Sequence, residues 1–149
     1  AEHPSTLIAS GNLAASLSAL GRHQDAEALQ RQCLGASSRT LGAEHPSTLI
    51  ASGNLAASLS ALGRHQDAEA LQRQCLGASS RTLGAEHPQT LEALGNLASS
   101  LRALGRLQDA EDLERQRLEA SSRTLGSEHP QTLIAMGNLA AILSALGRH

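Results

Sequence analysis

Seven histidines and two cysteines are the side chains of this 149-residue chain with the chemistry to hold a metal or to attack a substrate. Their positions argue against both. His3, His45, His87 and His129 are one position repeated, and His23, His65 and His149 are a second. Within a unit the two positions lie twenty residues apart (3 to 23), so no compact set of three or four ligands is specified. Cys33 and Cys75 are likewise one position in consecutive units, and the third unit carries Arg117 there. Equivalent positions of stacked repeats lie on the order of 10 Å apart, beyond the ~7 Å Cα limit for a disulfide. The two thiols therefore read as small, partly buried packing residues left free, which fits a reducing, cytoplasmic compartment.

Motifs for catalysis are equally absent. Without a single Lys there is neither a G-x-x-x-x-G-K-[ST] phosphate loop nor a Schiff base. There is no C-x-x-C and no H-E-x-x-H, and every Asn is followed by Leu-Ala, so no glycosylation sequon exists. An active site needs unlike groups converging on one point, whereas repetition spreads like groups along a line. The chain reads as a non-enzyme, with no metal and no cofactor.

The repetition itself fixes the architecture. Residues 1–42 recur letter for letter as 43–84, recur with substitutions as 85–126, and begin a partial fourth copy at 127–149. A fixed period of this length marks a stacked array in which one unit cannot bury its own apolar face. The expectation is a single repeat domain over residues 1–149.

Composition narrows the class. There is no Phe, Tyr or Trp, so the core must be built from Ala, Leu and a few Ile. Formal net charge is −2 and charged residues make up 17%, which gives no basic field to hold nucleic acid. No apolar run approaches the roughly 20 residues that span a bilayer. Ala1 is not an initiator Met and opens no signal-like segment, so the chain is expected to be excised from something longer.

Within a unit, periodicity predicts two helices. Leu7, Leu13, Ala14, Leu17 and Leu20 follow a three- and four-residue spacing, Pro4 suits a first helical turn, and Gly21 a stop. The second helix opens near His23, with Asp25 and Glu27 in its first turn. It turns Ala26, Leu29, Cys33 and Leu34 inward and closes before Gly42. The fold class is all-α, a right-handed superhelical solenoid of antiparallel helix pairs with about seven helices.

These residues carry a family resemblance. Asn12-Leu13-Ala14, Leu17, Gly21, Ala26 and Leu34 resemble the tetratricopeptide pattern. The linking text from Leu41 to Leu49, L-G-A-E-H-P-S-T-L, is similar to that of the 42-residue variant in kinesin light chains and fungal receptor-type proteins. Leu17, His23 and Gln30 stand where that family often has aromatics, and Cys33 where it favours Ala. The resemblance implies that the first helix of each unit lines an inner surface that binds a protein or peptide.

On that assignment the inner face of the first unit is Ile8, Gly11, Asn12, Ala15, Ser18 and Ala19. Asn12 recurs as Asn54, Asn96 and Asn138, and Ile8 as Ile50. Asn is a mediocre helix-interior residue, so a mid-helix copy in every unit wants a reason. One amide can satisfy both a C=O and an N–H of an extended peptide, as such asparagines do in relatives, or it can bridge neighbouring helices. Gly11 and its copies either leave the groove open or allow close helix packing. Either reading makes a bulky residue there harmful.

Differences between copies add specificity. The third unit places Glu92 and Arg102 on the inner face, where they would select a charged ligand group or stand as solvated charges. The fourth places Met136 and Ile142 where earlier copies have Ser10 and Ser16, an apolar end that invites end-to-end association with a second copy. Two functions follow: a non-catalytic protein- or peptide-binding scaffold, or a self-associating structural module.

Overall fold

In a computed structural model, the backbone of residues 4–147 and the side chains of residues 11–147 are described. These residues form seven α-helices and no strand: α1 (Pro4–Ala19), α2 (His23–Leu41), α3 (Pro46–Ala61), α4 (His65–Thr82), α5 (Pro88–Ala103), α6 (Leu107–Leu125) and α7 (Pro130–Ala145). Ile8 and Leu7 lie outside the described side chains, and His3 and His149 outside the described residues.

Local chemistry sets the turn after α1 and the starts of α3, α5 and α7. After α1, Gly21 takes φ +80° while its N–H donates to Ser18 O and that of Arg22 to Leu17 O. This is the paired closure of a helix end that a left-handed glycine makes possible. At the other junction the His-Pro pair starts the next helix. His45 is extended, its Nδ1 accepts the Ser47 N–H at 3.1 Å, and Pro46 fills the first turn where no N–H is needed. His87 and His129 cap α5 and α7 in the same way. The linker histidines, which periodicity does not mark as caps, thus have a structural role.

The chain divides into two compact units, Ala1–Ala78 and Ser79–His149. In the first, α2 packs against both α1 and α3. Its core is Leu55, Ala56, Leu59 and Ala68, with Leu34 and Leu71 packed on it. Arg64, after α3, reaches back to Glu27 of α2 at 3.2 Å and also holds Asp67 at 2.9 Å. Such exposed pairs contribute a few tenths of a kcal/mol each, so small apolar contacts carry the stability.

The second unit packs α6 against both α5 and α7. Leu97 and Leu101 are fully buried. Thr90 and Thr132 donate to the carbonyls of Gly84 and Gly126, each at 2.8 Å, fixing the linkers to the helices they precede.

The periodic stripe is covered only where a neighbour exists. Leu13 of α1 and Leu20, just after it, are 52% and 74% exposed, although their spacing placed them inward, whereas Leu55 is 1% exposed. The apolar end of α7 also differs from expectation. Ile142 is fully buried and cannot be part of a sticky surface; the exposed apolar residues of α7 are Leu133, Ile134 and Met136. Met136 occupies the place of Ser52 and Leu94, both buried in the units before it.

Candidate functional site

In the first unit, α1, α2 and α3 converge on a cavity of about 410 Å³. Gly11, Asn12 and Ala15 come from α1, and Ile50, Ala51 and Asn54 from α3. Gln30 and Cys33 of α2 form its floor, both buried. Asn12, Asn54 and Ile50 are exposed, so the rim is open to solvent and carries two amides. A second cavity of about 330 Å³ adjoins it, sharing Gly11, Ala15, Gln30 and Asn54 and adding His23.

Gln30 is the unusual residue here. It is 7% exposed, and among the described residues nothing donates a hydrogen bond to its Oε1. A buried amide oxygen without a donor costs about 1–3 kcal/mol relative to a satisfied one. The periodic pattern did not mark Gln30 as inward, because a polar residue carries no apolar signal. The glycine is open too: a methyl group on Gly11 or Gly53 would meet no described atom within 4 Å. A methyl group on either therefore meets no close helix packing among the described residues; the expected harm of a bulky residue concerns side chains larger than this.

The equivalent place in the second unit is built from other residues. Arg117 stands for Cys33 and Glu114 for Gln30, and both are buried. Arg117 Nη1 faces Glu114 Oε1 at 3.5 Å and its Nη2 donates to Gln131 Oε1 of α7 at 3.3 Å. The guanidinium lies against Gly95: a methyl group there would sit 2.6 Å from Nη1 and 2.7 Å from Cζ. Gly95 is therefore a fit to Arg117, not an open groove. Burial pushes the Glu114 carboxyl above the ordinary glutamate range, against the opposing pull of Arg117, an Asn138 contact and the more distant charge of Arg102. The clue in sequence was two changes of opposite charge at i and i+3 on one helix, Glu114 and Arg117.

The remaining predicted residues fall as follows. Asn96, Glu92 and Arg102 of α5 are exposed, and Asn138 is half-buried where it contacts Glu114. Asn12 and Asn54 are brought together on one cavity. Cys33 and Cys75 form no disulfide and are buried; burial raises the Cys75 thiol, Ser52 opposes that rise, and the Cys75 Sγ donates to Leu49 O at 3.7 Å. Such a thiol stays protonated and is a poor nucleophile. Among the described residues no group of three His, Cys, Asp or Glu is placed to hold a metal, and no helix is long and apolar enough to cross a membrane.

Comparison with known proteins decides the family. The tetratricopeptide repeat model matches residues 5–79 and again 51–122. The chain belongs to the tetratricopeptide repeat family. Tetratricopeptide arrays are as a class scaffolds for protein interaction, and this chain shares their all-α helical-solenoid fold. No curated protein matches it. Two crystal structures from Podosopora anserina, described as putative kinesin light chain nearly identical TPR-like repeats, one of them carrying a single substitution, are 35% identical to it. Each aligns over 99% of this chain and 70% of its own length, with TM-scores of 0.92 and 0.91. BtubC (BKLC) from P. vanneervenii shares the fold at 19% identity and a TM-score of 0.89, over 99% of this chain and 59% of its own.

Proposed function

We propose that this tetratricopeptide chain is a non-catalytic scaffold that holds an extended peptide segment of a partner protein across α1 and α3. The observation that carries the reading is the α1–α3 cavity, with Asn12 and Asn54 at its rim and the unpartnered Gln30 oxygen in its floor. Amides one repeat apart suit an extended backbone, because each can accept one N–H and donate to one C=O. Exposed apolar lining such as Ile50 and Leu41 supplies affinity when the peptide covers it, and the open glycines let the peptide approach the helix backbone.

The test uses a linear peptide selected from a random library on the intact chain. Replacing Asn12 and Asn54 together with Ala is expected to weaken its binding about tenfold or more, since two amide contacts at about 0.5–1.5 kcal/mol each are lost. Unchanged affinity would remove the asparagines from the site.

A second reading draws on the exposed apolar residues at the two outermost helices. Leu13 of α1, Leu20 just after it, and Leu133 and Met136 of α7 would bury their surface if copies of the chain stacked end to end. Sedimentation equilibrium at high concentration separates the two, a strictly monomeric mass excluding the stacked form.

A further inference from the structure

The second unit holds a side chain of its own in the place that the first leaves open. Between α5, α6 and α7, a guanidinium rests on Gly95, faces Glu114 and donates to Gln131. Between α1, α2 and α3 the corresponding residues are Gly11, Gln30 and Ser47, Cys33 is too short to fill the space, and a cavity of about 410 Å³ remains.

Resting on the peptide-binding reading above, we propose that the α1–α3 cavity takes an arginine side chain of the bound peptide, in the place Arg117 takes for itself in the second unit. Two independent observations point to a guanidinium. The internal arginine shows that this arrangement of helices accepts a guanidinium head against the glycine of the rim helix. The floor of the open cavity ends in a buried acceptor with no donor, Gln30 Oε1. An aliphatic side chain would fill the volume yet leave that oxygen unsatisfied. A guanidinium has five N–H groups in a fixed fork and no acceptor, so it can reach Gln30 and the rim amides of Asn12 and Asn54 at once. Among the described residues no cation lines the cavity to repel it, and the open rim keeps part of the charge in water.

The neutral Gln30 makes the site weaker than its internal counterpart, which has the carboxylate Glu114. That difference is the handle for the experiment. Binding of the blocked peptide Ala-Ala-Arg-Ala-Ala to the intact chain is measured by titration calorimetry, against the same peptide with leucine or citrulline in place of arginine. The arginine peptide is expected to bind about tenfold tighter than either control, one charge-assisted hydrogen bond being worth about that much. Gln30→Glu is expected to tighten the arginine peptide about tenfold again and to tighten the neutral citrulline peptide less, since only the guanidinium adds charge pairing to the hydrogen bond. Cys33→Arg combined with Gln30→Glu plugs the cavity and should remove one bound equivalent; Arg117→Cys combined with Glu114→Gln unplugs the second unit and should add one. Circular dichroism confirms that each variant is folded.

Equal binding of the arginine and leucine peptides overturns the guanidinium assignment and leaves the peptide groove standing. Loss of the library-selected peptide's dependence on Asn12 and Asn54 overturns the groove itself. No binding of any of the three short peptides, or tightening of the citrulline peptide by Gln30→Glu as large as that of the arginine peptide, also overturns the assignment.

Discussion

Two places in this chain are built on one plan and finished differently. Between α1, α2 and α3 the floor is Gln30 and Cys33, neutral and short, and a cavity is left. Between α5, α6 and α7 the floor is Glu114 and Arg117, and the guanidinium lies against Gly95. The difference shows that a repeat protein can keep its scaffold constant and open or close a site with three substitutions, two of them one helical turn apart and the third, Gln131 for Ser47, on the following helix. It also shows why the same glycine means different things: Gly11 borders empty space, whereas Gly95 makes room for Arg117.

The largest effect that would break this comparison lies in the buried pair. Arg117→Ala should cost on the order of 3 kcal/mol in denaturant unfolding, because Glu114 is left buried without its partner. Exchanging both residues for their first-unit counterparts, Arg117→Cys with Glu114→Gln, should cost less than Arg117→Cys alone. Additive losses would show that the two residues are not coupled.

Glycine substitutions sharpen the contrast. Gly53→Ala in α3 should stabilise the chain by up to about 1 kcal/mol, the helix-propensity difference, since the added methyl meets nothing. Gly95→Ala should forfeit that gain, because its methyl drives into the Arg117 guanidinium. Equal effects at the two sites, read from thermal midpoints, would contradict the packing described for Arg117.

Much of this fold was legible from residue spacing. The period gave the helix pairs, and Pro4, Gly21 and Gly42 gave their limits, because local backbone chemistry acts on neighbours in sequence. The site was legible only in part. Asn12 and Asn54 stood out as poor helix residues kept in each copy, but Gln30 did not, since its burial is set by three helices meeting. Ile142 misled for the same reason: spacing alone reads an apolar residue in a terminal helix as exposed, and packing in the second unit covers it. His45 gave no capping signal because Ser, Thr, Asp and Asn are the usual caps.

A smaller effect concerns pH. Burial raises the Glu114 carboxyl, so the folded chain binds that proton more tightly than the unfolded chain. Its contribution is full below the ordinary glutamate range and is lost as pH rises through the raised value. The stability of the parent chain relative to Glu114→Gln should therefore fall as pH rises out of the ordinary glutamate range and through the raised value; a flat difference would mean that the carboxyl titrates as in water. Smallest is the cap, where His45→Ala should cost about 0.5–1 kcal/mol by loss of the bond to the Ser47 N–H.

The central claim is that a ligand enters the α1–α3 cavity and covers its floor. Cys33 lies in that floor and reports on it directly. In a Cys75→Ser chain, iodoacetamide labelling of Cys33 should slow about tenfold when the selected peptide is present at roughly nine times its dissociation constant. An unchanged labelling rate at that occupancy would place the peptide elsewhere and contradict the account.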